Sequence, residues 1–190
     1  MKIAAPKITI KEDLVYFQNQ IDSVQGSGPL WYAIPKRHAH LLSALCDGPL
    51  VGLLIPAMAK GEDIHVQGPL SERLYQNIAK PYQVLLRKMI PSLHLINIIP
   101  RELVRHTDRP DGVATGFSAG VDSFSVVADY YLSDVPASLR LTHLLFNNVG
   151  SHGPAGERLF ERRYHQVAMT ADQLGLPLIK INSNFGRFLQ

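Results

Sequence analysis

The stretch Val113-Ala114-Thr115-Gly116-Phe117-Ser118-Ala119-Gly120-Val121-Asp122-Ser123 decides how the chain is read. It passes from β-rich residues through a run of small ones into an amphipathic segment, which predicts a strand over residues 113–117, a tight turn and a helix over 121–132. The alternation then repeats. Residues 141–147 read as a second strand, 157–174 as a helix stopped by Gly175, and 178–181 as a third strand. Strands and helices alternating through short connections mean βαβαβ, a parallel sheet with right-handed crossovers. Ligands of such sheets sit at the carboxyl ends of the strands, so the turn after the first strand is the expected site.

The chemistry of that turn suits phosphate. Ala119 and Gly120 let the backbone approach a ligand closely, and the start of the next helix offers unpaired N–H groups at the positive end of its dipole. Ser118 and Ser123 add hydroxyl donors. Asp122 fits beside an anion once a divalent metal is included, because a carboxylate plus phosphate oxygens is a usual way to hold Mg²⁺. A Walker A loop would end in Gly-Lys-Ser/Thr, and this one does not. Two other readings compete. Residues 116–120 satisfy G-x-S-x-G, which would make Ser118 the nucleophile of a serine hydrolase. The only later histidines are His143, His152 and His165, and His152 follows the second strand too early for the usual triad base. The blander alternative is a tight turn with a capping serine.

Ser118-Ala119-Gly120-Val121-Asp122-Ser123 resembles the S-G-G-x-D-S signature of the PP-loop ATP pyrophosphatases, a group that includes GMP synthetase, NAD synthetase, asparagine synthetase and the deazaguanine synthase of queuosine biosynthesis. Ala119 stands where the signature has its first glycine. The likeness continues through Leu144-Leu145-Phe146-Asn147-Asn148, similar to the family's second strand, and through Glu161, Ala168, Ala171 and Leu174-Gly175-Leu176-Pro177, similar to its next helix and third strand. It covers about 80 residues, 112–190. The resemblance implies a Rossmann-like parallel sheet of the adenine nucleotide alpha hydrolase-like type, with ATP and Mg²⁺ as cofactors. It places Ser118, Gly120 and Ser123 at the β- and γ-phosphates and Asp122 at the magnesium, with Ser118 and Asp122 as the catalytic pair. Gly116 and Phe117 would lie under the nucleoside, Ala119 and Val121 would complete the loop, and Phe146 and Asn147 would meet the base. The implied reaction adenylates a small-molecule acceptor, releases pyrophosphate and ends in an amide or amine, as in AMP-forming ligases. A non-catalytic nucleotide-binding or scaffold module is the alternative. Family members carry two further strands, so the parallel sheet is expected to be incomplete, either in an N-terminal piece of a longer protein or in a homodimer that completes it.

Residues 1–105 have a different texture and read as a small α+β module. Residues 8–10, 15–17 and 31–34 are strand-like, and from Arg37 the leucines Leu41, Leu42 and Leu45 suggest a helix closing on Asp47-Gly48-Pro49. The apolar piece 50–58 calls for burial. Residues 63–66 alternate like a strand, Gly68-Pro69 suggests a helix start with a kink at Pro81, and 93–99 is a further strand. The charged stretch 101–112 marks the expected boundary with the nucleotide-binding domain, 112–190.

Composition narrows the remaining possibilities. The formal charge of +3, from 19 basic and 16 acidic residues, does not call for a nucleic-acid partner. The arginine sets Arg101/Arg105/Arg109 and Arg158/Arg162/Arg163 read as solvated faces, although the second could neutralise a phosphate. Asn147, Asn148 and His152 lie in a polar loop that could flank the same crevice. Cys46 is the only cysteine, which excludes a disulfide framework or a Cys-rich zinc site within this chain. His38 and His40 could ligate metal from a strand, but in a helix their side chains would diverge. No apolar run reaches the roughly 20 residues that span a bilayer, and no secretory signal is visible, so the expected location is the cytoplasm.

Overall fold

The computed structural model describes residues 1–24, 26–105, 112–149 and 156–189. Strands β1 (Lys2–Ile3), β2 (Lys7–Lys11), β3 (Leu14–Asp22) and β4 (Gly28–Pro35) lead through a 3₁₀ turn, Lys36–Leu41, to helix α1 (Asp47–Lys60). Strand β5 (Ile64–Ser71), helices α2 (Glu72–Ile78) and α3 (Pro81–Met89) and strand β6 (Ile98–Val104) follow. The second half runs β7 (Ala114–Gly116), α4 (Val121–Val127), a π turn Ala128–Leu132, β8 (His143–Asn148), α5 (Gly156–Leu174), β9 (Leu178–Ser183) and a 3₁₀ turn Phe185–Phe188.

The fold is mixed α/β. The predicted ladder is present: β7 pairs with β8 and β8 with β9, both parallel, with Leu144 opposite Leu178 and Asn147 opposite Ile181. It is not a separate sheet. Tyr32 and Ala33 of β4 pair antiparallel with Ser183 and Asn182 of β9, joining all nine described strands in the order β6-β5-β1-β3-β4-β9-β8-β7, with β2 on β3. The flanks are parallel and the middle antiparallel. The difference in texture survives in the packing. One apolar cluster gathers Ile3, Ile21, Leu30, Leu50, Leu54, Met58, Ile64 and Leu70 under α1, and another gathers Phe117, Val127, Leu144, Phe146, Phe160, Val167 and Leu178 under α4 and α5.

Several local expectations are corrected. The helix expected from Arg37 is only a six-residue 3₁₀ segment, and the apolar piece after it is α1, which buries Leu50, Leu53, Leu54, Ala57 and Met58 while leaving Val51 and Ile55 exposed. Gly61 ends α1 at φ 64°, donating its N–H to Ala57 and Met58 carbonyls. Gly68-Pro69 does not start a helix. Strand β5 runs on to Ser71, irregular between Val66 and Pro69, because β6 pairs alongside it as far as Val104. Ser71 then caps α2, its hydroxyl accepting from Leu74 N–H at 3.3 Å. Pro81 does not kink a helix but starts α3. The strand expected over 93–99 is shifted to β6, so Arg101 to Val104 of the expected boundary lie within a strand, with Arg105 directly after it; residues 106–111, Arg109 among them, lie outside the described residues.

A histidine cluster ties the two halves together. His38, from the 3₁₀ turn after β4, is buried, and its ring meets that of His143 at the start of β8 edge to face, 6.3 Å between centroids. Arg37 Nε donates to His38 Nε2 at 3.1 Å, so this nitrogen acts as an acceptor and the ring is neutral. Burial holds the His38 pKa below the ordinary histidine value, and Arg37, His143 and His40 push it the same way; burial and His40 lower that of His143. Both groups bind protons more readily when unfolded, so the stability they confer is present above about pH 6.5 and is lost as pH falls through their lower folded values. Urea midpoints should therefore drop between pH 7.5 and pH 5.5, and His38→Gln should flatten that drop.

Candidate functional site

The predicted turn forms one wall of a cavity of about 690 Å³ at the carboxyl ends of β7 and β8. Gly116 ends β7, Phe117, Ser118 and Ala119 come from the turn, Ser123 from the start of α4, Leu145, Phe146 and Asn147 from β8, and Arg163, Gln166, Val167 and Thr170 from α5. The volume lies within the range typical of small-molecule sites.

The turn is held by its own side chains. Ser118 N–H donates to Ser123 Oγ at 3.1 Å, and the two serine hydroxyls lie 3.1 Å apart. Phe117 N–H donates to Leu145 O at 2.8 Å, and the Phe117 ring meets Phe124 edge to face at 5.5 Å, which fixes the turn against β8 and α4. Gly120 is the N-cap of α4 in an extended conformation, with no side-chain cap, so the first amides of the helix lack intrahelical acceptors.

Ala119 sits at φ 57°, in the left-handed region. This is where the signature has glycine, and an L-residue costs about 1–2 kcal/mol there. Ala119→Gly should relieve that strain against the extra freedom glycine gives the unfolded chain. The expected net effect is a gain of up to about 1 kcal/mol, read from urea denaturation.

The other predicted residues are placed as follows. Gly116, Phe117, Ser118, Ala119, Ser123, Phe146 and Asn147 line the cavity, whereas Gly120, Val121 and Asp122 lie just beyond its lining, at the start of α4. Val121 is 83% exposed, so it contributes backbone and not side chain to any contact. The Phe146 ring is buried, stacked on Phe160 at 5.1 Å with Tyr164 tilted against it at 6.1 Å, which leaves it little surface for a base. His143 lies at the opposite end of β8, bonded to Thr142 Oγ1 at 2.8 Å, and the His165 ring packs against Tyr164. Among the described residues Ser118 therefore has no histidine partner; His152 lies outside them. No group of three or more metal-ligating side chains occurs among the described residues. His38 and His40 fall on the 3₁₀ turn, away from the cavity. Asn148 Nδ2 donates to Asn182 Oδ1 at 3.0 Å, tying the end of β8 to β9, and does not belong to the described lining.

Sequence reasoning missed Gln166 and Thr170. With Arg163 and Val167 they form an i, i+3, i+4, i+7 stripe on α5, but polar residues at that spacing look the same as a solvated face. Arg163 brings the one fixed positive charge to the described lining, and no carboxylate opposes it there. Arg158 and Arg162 are exposed, as Arg163 is, but do not belong to the described lining. No helix among the described residues is long and apolar enough to cross a membrane. No family model, curated protein or solved structure matches the chain.

Proposed function

We propose that this cavity is a Mg-ATP site of the PP-loop kind and that the protein uses it to adenylate a small-molecule acceptor with release of pyrophosphate. The observation that carries this reading is the convergence in one cavity of the two serine hydroxyls, the turn backbone, the β8 end and the Arg163 cation. Phosphate oxygens suit such a set of donors, since a serine hydroxyl, an amide and a guanidinium can all donate to an anion. Ser118, Gly120 and Ser123 would hold the β- and γ-phosphates, with Arg163 facing them from α5. Gly116 and Phe117 would support the nucleoside, and Asn147 and Gln166 would supply polar contacts to ribose or base.

Asp122, in the first turn of α4, has the chemistry of a magnesium ligand. Mg²⁺ keeps several waters and takes one or two carboxylates together with phosphate oxygens, so a single carboxylate in the first turn of α4 suffices. Held there by Asp122, Mg²⁺ would supply positive charge to the pyrophosphate oxygens. The chain's own contribution is positional and electrostatic: an oriented backbone and fixed donors hold the leaving group in place.

A second reading is favoured by one observation. The described lining contains no His, Asp, Glu, Cys or Lys that could serve as a general base, as a binding module without turnover would show. One experiment separates the two. Mg-ATP is titrated into the full chain calorimetrically, and pyrophosphate is then followed with a panel of candidate acids. Saturable binding with acid-dependent pyrophosphate release supports the ligase reading; binding without release leaves the module; no binding removes both.

A further inference from the structure

A second cavity, of about 500 Å³, opens on the other side of the sheet. Lys180 of β9 points at α5, where its ammonium pairs with Glu161 and lies over the Phe160 and Tyr164 rings, so the alternate residue Ile181 faces away from that helix. Ile181 lines the second cavity with Phe17 and Tyr32 from β3 and β4, Leu42 and Leu45 from the segment before α1, and Pro49 from its first turn. The cleft is therefore formed by both halves of the chain, and nothing in the nucleotide reading uses it.

Its polar groups are few and unequal. Asp47 is occupied: one carboxylate oxygen accepts Ser71 N–H at 3.0 Å and the other accepts the Ser71 hydroxyl at 2.5 Å. Ser43 Oγ accepts Leu45 N–H at 3.3 Å. The Tyr32 hydroxyl makes no hydrogen bond to any described residue, and burial pushes its pKa up to about 12. Its ring is half-buried in the lining, and a ligand acceptor meeting the hydroxyl would displace no protein hydrogen bond. No Lys or Arg lines the cleft, and the one charge there is the Asp47 carboxylate, so an anion is disfavoured.

We infer that this cleft is a binding site for an uncharged, apolar small molecule carrying one hydrogen-bond acceptor, such as a carbonyl, which the Tyr32 hydroxyl engages. The apolar body lies against Phe17, Ile34, Leu42, Leu45 and Ile181. The site is separate from the nucleotide cavity, although Ile181 pairs in register with Asn147, which lines the latter. The inference does not depend on ATP binding.

The test displaces a neutral naphthalene dye, N-phenyl-1-naphthylamine, from the full chain with a series of 2-alkanones of increasing length. Each added methylene should tighten binding about threefold to fourfold until the cleft is filled. Carboxylates of equal length should compete more weakly than the ketones. Tyr32→Phe should weaken the ketones about threefold to tenfold and leave the dye unaffected, because only the hydroxyl is lost. Leu45→Glu places a charge among the apolar residues and should abolish dye binding while leaving the circular dichroism spectrum and Mg-ATP titration as in the parent. A ketone series that is flat with length, carboxylates binding tighter than ketones, or unchanged dye binding in a folded Leu45→Glu protein would overturn the inference. Failure of Mg-ATP to bind would overturn the nucleotide reading instead and leave the ketone result standing.

Discussion

Gly68→Val is expected to remove about 2–4 kcal/mol of folding stability, enough to leave much of the chain unfolded at 37 °C if its total lies near the lower end of the usual 5–15 kcal/mol. A Cβ at this position would stand 2.8 Å from Ala5 Cα, 2.8 Å from Cys46 Sγ and 3.0 Å from Pro6 Cδ. The first of these is backbone and cannot swing aside. Three segments meet here for reasons of their own. Asn19 of β3, fully buried, donates through Nδ2 to Ala4 O at 2.8 Å, and Cys46 N–H donates to Pro69 O at 2.8 Å at the entry to α1. Moving β5 outward to admit a side chain would therefore break bonds that hold β1, β3 and α1 in place, and a buried group left unsatisfied costs more than an ordinary hydrogen bond contributes. Gly48→Ala is the matched control. An added Cβ there meets nothing within 4 Å, and the position lies in the first turn of α1, so its urea midpoint should match or slightly exceed that of the parent. Equal midpoints for Gly68→Val and the parent would show that the crossing is looser than these distances state.

Gly68 also marks where the sequence is hardest to read. Local signals at Gly68-Pro69 favour a turn and a new helix, yet β5 continues because Pro69, Leu70 and Ser71 pair with Glu102, Leu103 and Val104. Pairing across some thirty intervening residues leaves no trace in a local window, and tertiary contacts override propensity. The same holds for the junction of β4 with β9. Nothing in Tyr32-Ala33 or in Asn182-Ser183 announces a partner about 150 residues away, so two textures suggested two sheets where one exists. The second half was legible for the opposite reason. Helix α5 spans Gly156–Leu174 and ends where Gly175, at φ 70°, takes the left-handed position expected of a helix stop. Strand β9 begins directly after Pro177. These elements are specified by periodicity and by capping residues a few positions apart, which a single sequence displays.

The site divides in the same way. Its turn and the end of β8 are contiguous in sequence and carry small residues, hydroxyls and a carboxylate in a pattern with a chemical meaning. Its third wall comes from α5, where Gln166 and Thr170 gain significance, and Arg163 is singled out from Arg158 and Arg162, only once the helix is laid beside the turn. Ala119 lies between these cases. Its methyl was visible as a departure from the glycine of the signature, but only the backbone conformation shows what the departure costs.

Arg163 and Asp122 should fail in different ways, and that difference is the strongest test of the nucleotide site. Arg163→Met keeps an apolar stem of similar reach and removes the cation, so affinity for ATP should fall about tenfold to a hundredfold whether or not Mg²⁺ is present, the loss of one charge-assisted contact. Asp122→Ala should cost a similar factor for Mg-ATP, because the carboxylate would contact the metal, but nothing for ATP in excess EDTA, where removing a negative charge beside the phosphates should if anything help. Gly120→Val should abolish saturable binding under both conditions. A Cβ at Gly120 would already stand 3.4 Å from Ser118 Oγ, and the two further methyl groups would crowd the space between that hydroxyl and the first turn of α4. Calorimetric titrations of the three variants with and without magnesium give six values. If Asp122→Ala weakens metal-free ATP as much as Mg-ATP, the carboxylate is positioning the turn and not the metal. If Arg163→Met binds like the parent in both buffers, the phosphates do not lie against α5, and the cavity holds some other part of the ligand.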